Sequence, residues 1–308
     1  MSFVSLDSVE ELVAAAARAG LFVTPDSDAL DTMGLDFLVV HGRDAAGTRW
    51  IVRSPRRPDV AATSLVEARA LQFVASRLAR CGVAVPDWRV HTPEVIAYPR
   101  LGGQPAISLD SGAPVWHVID PSAPNDPFVA SLATILHAFA MSSPDEGRAA
   151  GVRVKTIADE RRTVADGIAA GRELLDPPAE LVARWERWLA DADAWPTHVA
   201  LSHGDLHPGH LLLAPDATIT GVLDWTEAAF GDPAHDLAMV KMCFGRAVLE
   251  DVAARMNALG TPVPASLLAH AVERCAAFPA LGAAWAKRTG NLAIVEGLRA
   301  QLELAAAP

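Results

Sequence analysis

The chain has 308 residues, a formal net charge of −11, and a composition 51% hydrophobic and 20% charged, which excludes a disordered or low-complexity protein. The acidity argues against a nucleic-acid backbone or an anionic membrane surface as the main partner and suits a cationic ligand better, although acidity also serves solubility alone. No window approaches the roughly 18 uninterrupted apolar residues of a membrane span.

At about 150 residues per domain, one or two lobes are expected. The start MSFVSLDSVEELV has no basic leader followed by an apolar core, which reads as a cytoplasmic protein. Cys81, Cys243 and Cys275 are widely spaced and odd in number, suggesting neither a disulfide frame nor a zinc knuckle. The only lysines are Lys155, Lys241 and Lys287, so any phosphate-gripping cation in the first half must be an arginine.

Ser8 to Gly20 has apolar residues at helical spacing between a Ser start and a Gly stop, predicting a short amphipathic helix. The β-rich runs Phe37–Val40 and Trp50–Arg53, separated by the turn-rich Gly42–Gly47, predict a hairpin. Ser64 to Cys81, closed by Gly82, predicts a helix of about four turns. Strand-like pieces around Trp88–Val90 and Glu94–Tyr98 come next, before Pro99 and Gly102–Gly103 break the pattern. The order β-β-α-β-β and then a hinge makes a small first lobe, residues 1–101.

In the remainder, 102–308, helical periodicity dominates from Asp126: Phe128–Met141, Thr156–Leu175, Pro178–Asp191, Pro233–Phe244, and stretches from Val248 onward. Val199–Trp225 interrupts it with a strand, a polar loop, and a hairpin of His210–Leu213, the turn Ala214–Ala217, and Thr218–Asp224. The fold class is α+β in two lobes.

The run Leu201-Ser202-His203-Gly204-Asp205-Leu206-His207-Pro208-Gly209-His210 concentrates one carboxylate and three imidazoles in a loop. A zinc hydrolase with His203 and His207 on one helical face fails, because Gly204 stands where the motif needs glutamate and Pro208-Gly209 stops a helix. His203 and His207 serve equally well as structural groups that tie a tight loop to its own backbone. A third reading makes Asp205 a base and His210 and Asp224 metal ligands: the hairpin would set His210 opposite Gly221, and Asp224 about 10 Å further along returns beside the Asp205 loop. Phosphoryl transfer needs little more than such a base, a metal and a phosphate-facing cation.

His203-Gly204-Asp205-Leu206-His207-Pro208-Gly209-His210, followed by Val222-Leu223-Asp224-Trp225-Thr226-Glu227-Ala228 and Gly231-Asp232-Pro233-Ala234-His235-Asp236-Leu237-Ala238, resembles the antibiotic and choline kinases of the protein-kinase-like fold. That group commonly has asparagine where His210 stands. Histidine there, with Gly-Leu-Asp at 34–36, Arg-x-Pro-Arg-Arg at 53–57 and Val-Pro-Asp-Trp-Arg-Val at 85–90, is similar to the macrolide 2′-phosphotransferases in particular.

The resemblance implies a two-lobe protein-kinase-like fold with a β-sheet-plus-helix first lobe and a mostly helical second. It also implies Asp205 as catalytic aspartate, His210 and Asp224 as ligands of Mg²⁺, and GTP, with ATP as the other donor, under the first lobe. Arg53 at a strand end and Glu67 on the following helix match the kinase cation and its helix glutamate; Arg56 and Arg57 are rivals for the phosphate, and a surface ion pair is the plain alternative. G-x-G-x-x-G is absent, and Gly34 alone stands in the phosphate-covering loop.

The segment Ala97-Tyr98-Pro99-Arg100-Leu101 is the expected hinge, with Ala97, Tyr98 and Leu101 at the nucleotide. A macrolide, as a large apolar ring bearing a cationic amino sugar, needs apolar walls and acidic points, for which Trp225, Glu227, Phe230 and Asp232 are the candidates. Trp225 and Phe230 fit a core equally well, and Asp236 reads mainly as structural. A monomer is expected. The alternatives are a kinase of another hydroxylated amine, such as an aminoglycoside or choline, and a non-catalytic binding protein on the same fold.

Overall fold

In the computed structural model of the chain, which describes residues 6–31, 36–110 and 113–303, the fold begins where the Ser8 hydroxyl accepts the Glu11 N–H at 3.2 Å and starts α1 (Val9–Arg18). Next come three strands, β1 (Thr24–Asp31), β2 (Phe37–Arg43) and β3 (Arg49–Pro55), then α2 (Pro58–Ala79), β4 (Val90–His91) and β5 (Ile96–Pro99). The five strands form one antiparallel sheet in the order β1-β2-β3-β5-β4.

Strand β1 has no counterpart in the sequence pattern, since T-P-D-S-D-A-L-D has no apolar alternation; it is an edge strand whose register against β2 slips between Pro25 and Leu30. Helix α2 begins six residues before the expected Ser64, because Pro58 supplies a ready first helical residue.

Alternation gives the sheet two unlike faces. Val40, Val52, Ala97 and Val90 lie in one cross-strand row and pack with Leu12, Ala15 and Ala16 of α1. The other face carries Val39 opposite Arg53, and His41, Ile51 and Tyr98 in a row, and looks toward the second lobe.

After the hinge come β6 (Gln104–Pro105) and the hairpin β7 (Ile107–Asp110) and β8 (Ala113–Trp116), in a stretch where the sequence predicts no element. The second lobe continues with α3 (Asp126–Ala140), α4 (Pro144–Ala149), β9 (Arg153–Val154), α5 (Ile157–Leu174) and α6 (Ala179–Ala190). Then β10 (Ala200–Ser202), β11 (Leu211–Leu213), β12 (Ile219–Val222) and β13 (Ala229–Gly231) lead to α7 (His235–Ala258), α8 (Ala265–Ala276), α9 (Phe278–Thr289) and α10 (Val295–Ala300). Helix α7 breaks at Gly245 (φ 83°), between the two helical stretches predicted there. The arrangement is the expected two-lobe α+β, kinase-like fold. Among the described residues no helix is long and apolar enough to cross a membrane.

The largest apolar cluster joins Leu71, Val74 and Leu78 of α2, Phe128, Leu132 and Ile135 of α3, and Leu211, Ile219 and Val222 of the β11–β12 hairpin, so the two lobes share a core. A second cluster sets Trp185, Trp188 and Trp195 against α5 and α9. Helices α5 and α9 touch through glycine: a Cβ on Gly167 would stand 2.8 Å from Leu281 Cδ2, and one on Gly171 would stand 2.8 Å from Ala280 Cβ.

The β11–β12 hairpin differs from prediction by two residues. Leu212, not His210, faces Gly221, and the Leu223 N–H donates to the His210 carbonyl at 2.9 Å, because the turn is one residue longer than expected, with Leu213 facing Ile219, and the register shifts by one more between Leu212 and Leu213.

One test of the packing is Gly147 of α4, where a Cβ would lie 2.1 Å from Cε2 of the fully buried Phe230. Gly147→Ala is expected to cost about 1–3 kcal/mol by overpacking, despite alanine's better helix propensity, and to lower the urea and thermal midpoints.

Candidate active site

Strand β10 delivers the chain into the loop at His203, and a single carboxylate sets the turn there. Asp236, near the start of α7, accepts the His203 N–H at 2.7 Å and the Gly204 N–H at 3.0 Å. Gly204 has φ +84°, and a Cβ there would meet the Glu227 carbonyl oxygen at 2.7 Å, so only glycine fits. Burial pushes the Asp236 carboxyl up to about 6 against the two N–H donors that favour its charge.

Two of the three imidazoles are brackets within this loop. His203 is fully buried; its Nδ1 accepts the Asp205 N–H at 3.2 Å and its Nε2–H donates to the Leu223 carbonyl at 2.9 Å. Burial, reinforced by His210, lowers it to about 3 and keeps it neutral. His207 Nδ1 accepts the Gly209 N–H at 3.0 Å, and burial with His210 lowers it to about 4. Both therefore tie the loop to its own backbone, as the structural reading of the sequence expects.

His210 is placed differently. Its Nδ1–H donates to the Asp205 carbonyl at 2.9 Å, which turns Nε2 toward Asp224, whose Oδ2 is 3.7 Å away. Asp205 Oδ2 lies 3.7 Å from His210 Nδ1. Asp224 adopts φ +57°, a conformation uncommon for a non-glycine residue, with its Oδ1 accepting the Thr226 N–H at 3.3 Å. Burial works against its charge, yet His210 and Arg53 hold it below the ordinary carboxylate value; Asp205 is raised by burial, opposed by His210.

Nε2 and the carboxylate oxygen face each other at 3.7 Å, too far apart for a direct hydrogen bond. A carboxylate and an imidazole nitrogen in that relation fit a divalent cation, the carboxylate suiting Mg²⁺ and the imidazole somewhat softer ions. Ligand atoms of Asp205, His207 and His210 also fall within 4.8 Å of one another.

Above this floor, Arg53 pairs with Glu67 at 2.8 Å, both nearly buried, and its guanidinium lies 4.2 Å from the Phe37 ring centroid and 4.9 Å from that of Trp88. Burial raises the Glu67 carboxyl against the pull of Arg53. Glu67 Oε2 also accepts the Thr226 hydroxyl at 3.4 Å, tying α2 to the residue two beyond Asp224. Of Arg53, Arg56 and Arg57, only Arg53 lines the cleft; Arg57 pairs with Asp36 and Asp59 on the surface.

Arg53, Tyr98, Leu101, Asp205, His207, His210, Asp224 and Glu227 all line one cleft of about 670 Å³ between the lobes. A larger groove of about 920 Å³ between α6, α7 and α8 shares none of these residues.

Four expectations change. Ala97 is fully buried and its carbonyl accepts the Arg89 N–H at 2.9 Å, so the sheet uses it and it does not meet a nucleotide. Trp225 is fully buried, its indole donating to the Val222 carbonyl at 3.1 Å and its ring edge-on to Phe139 and His203, so it is core and not a substrate wall. Phe230 is likewise core, packed edge-on against Phe73. Asp232 is fully buried, bonded to His270 at 2.8 Å and Arg274 at 2.9 Å, which joins α8 to the start of α7 and leaves nothing for a ligand. Gly34 lies outside the described residues. Trp285 of α9, which belongs to no motif in the sequence, is in the cleft.

Residues 30–270 match the phosphotransferase enzyme family. The chain belongs to that family. Among curated proteins, an uncharacterized protein of Bacillus subtilis (strain 168), YcbJ, is 36% identical over 273 residues, 88% of each chain. Among solved structures, the macrolide 2′-phosphotransferase MphH from Brachybacterium faecium, as apoenzyme, superposes with a TM-score of 0.81 at 36% identity, covering 96% of this chain and 97% of its own. A macrolide 2′-phosphotransferase type I superposes at 0.85 and 34% identity over the whole of both chains. This phosphotransferase therefore resembles them along its full length, both lobes included.

The Asp236 carboxyl provides a pH test. Its folded value lies above the unfolded one, so the folded protein holds the proton more tightly, and its contribution to stability is lost as pH rises from near 4 to about 6. Urea unfolding at pH 4, 5, 6 and 7 should show wild type losing stability relative to Asp236→Asn across that window, with a constant gap above it.

Proposed function

We propose that this phosphotransferase moves the γ-phosphoryl group of GTP to the 2′-hydroxyl of a macrolide's amino sugar, inactivating the antibiotic. The observation that carries the reading is the full-length likeness to two solved macrolide 2′-phosphotransferases at 34% and 36% identity. The clustering of Asp205, His210 and Asp224 in one cleft beneath Arg53 supports it chemically.

In this reading residues 1–101 form the nucleotide lobe and residues 102–308 supply the catalytic loop and acceptor side. Asp205 accepts the proton of the attacking hydroxyl; its raised affinity for protons moves it toward the range where a carboxylate works as a base, and a loose transition state asks for that proton only late. His210 and Asp224 would hold Mg²⁺, which when bound supplies charge neutralisation at the phosphates.

Arg53, oriented by Glu67, faces the phosphates, and Tyr98 and Leu101 border the base. Asp36 and, at the start of β2, Phe37 also line the cleft, and Glu227 is the acidic point beside the acceptor. The same reading places the enzyme in the cytoplasm, where nucleotide is abundant.

Nucleoside-diphosphate release with Mg²⁺, measured for GTP and ATP against erythromycin, kanamycin and choline, tests this. Erythromycin should stimulate GDP release, and Asp205→Asn should reduce the rate on the order of 10²–10⁴-fold. Stimulation by kanamycin or choline alone would keep the phosphotransferase and replace its substrate.

A further inference from the structure

The protein has eight tryptophans, and seven are engaged through their rings. Trp88, Trp116, Trp188, Trp195 and Trp225 sit in aromatic pairs, and Trp50 and Trp185 donate their indole N–H to Asp44 and to the Ala276 carbonyl. Among the described residues, Trp285 is the one whose ring has neither a hydrogen bond nor a ring partner. It is half-buried and lies in the cleft that holds Asp205.

This placement is built rather than incidental. Helix α9 rests on α5 at Gly167 and Gly171, where Leu281 and Ala280 approach too closely for any side chain on α5. Trp285 is one turn beyond Leu281 and seven residues beyond Phe278, on the same face of α9. The close glycine contact therefore holds the α9 backbone against α5 one turn before Trp285. An unpartnered, partly buried indole in a catalytic cleft leaves a large π-face without a contact inside the protein.

Glu227 faces the same space. Its side chain is 60% exposed, its ion pair with Arg153 is a loose 3.8 Å contact, and it stands against Gly204, the residue before Asp205. Arg153 spends its guanidinium on the Thr226 and Ala228 carbonyls instead. An indole face and a loosely held carboxylate beside the catalytic loop are complementary to one chemical group, a substituted ammonium, which gains from the ring quadrupole and from the opposite charge together.

We infer that Trp285, with Glu227, is the platform that receives the protonated amine of the acceptor and so selects hydroxylated amines for transfer. The inference rests on the proposed function for the position of the acceptor, and extends it to the residues that choose the acceptor. The ring packs against the ammonium's alkyl groups, and the carboxylate fixes the amine so that a neighbouring hydroxyl meets Asp205.

The test compares wild type with Trp285→Phe, Trp285→Leu and Glu227→Gln in steady-state turnover of erythromycin, with calorimetric binding of erythromycin in parallel. Leucine keeps bulk and loses the π-face; its acceptor KM and Kd should rise about tenfold, whereas phenylalanine should stay within about threefold and the GTP KM should not change with them. Glu227→Gln should raise the erythromycin KM and have no effect on the KM for erythromycin N-oxide, which lacks a protonated amine. Wild-type erythromycin KM and Kd in Trp285→Leu would overturn the inference while turnover continued. Erythromycin binding weakened by Trp285→Leu, but without turnover in wild type, would keep the platform and overturn the catalytic reading.

Discussion

The Asp236 carboxylate, accepting the backbone N–H groups of His203 and Gly204, is the contact on which the geometry of the site depends. It bends the chain immediately after β10, so that Asp205 leaves the loop toward the cleft while His203 turns inward against Leu223 and Trp225. With His203 seated, the Asp205 N–H is held by its ring, and the Asp205 carbonyl accepts both the His207 N–H and the His210 Nδ1–H, which orients His210. Each step is a hydrogen bond between buried or half-buried groups, where an unmade bond costs about 1–3 kcal/mol and a made one stabilises less, so the loop is specified more by what it must avoid than by what it gains.

A second chain of contacts joins the lobes. Arg53 on β3 pairs with Glu67 on α2, and Glu67 reaches Thr226, next but one to Asp224. Glu67 carries a cost of burial that Arg53 offsets, and removing either would strand the other, the arrangement in which a buried ion pair acts more as a positioning device than as a source of stability. The shared apolar core of α2, α3 and the β11–β12 hairpin holds the pair in register with the loop below. Two further cleft residues belong to the same frame, since Glu227 comes directly after Thr226 and Trp285 lies on α9, which packs on α5.

Much of this is legible in the sequence where local pattern and chemistry agree. The dense His-Gly-Asp-x-His-Pro-Gly-His run predicts a loop and not a helix, through Pro208 and Gly209, and the polar partners of His203 and His207 reflect how tight such a loop is. Periodicity locates α3, α5 and α6 within a residue or two, and Gly245 falls where the helical pattern lapses.

The features hidden from the sequence are those set by tertiary contacts. β1 gains its strand form from β2 rather than from its own residues, and the two-residue error at His210 comes from a longer turn and a register shift that alternation cannot reveal. Trp225, Phe230 and Asp232 come soon after Asp224 in sequence, but the chain turns away at once and buries all three. Asp232 in particular meets Arg274 and His270, dozens of residues away, and Trp285 enters the cleft from further still; only the packed structure makes such neighbours.

In the proposed function His210 and Asp224, which face each other at 3.7 Å, would hold one divalent cation. Crystals grown with Mn²⁺ and a non-hydrolysable GTP analogue test it directly. An anomalous peak within coordinating reach of both side chains is the expected result; manganese bound to the phosphates alone, with His210 and Asp224 outside coordinating distance, would contradict the proposed metal site.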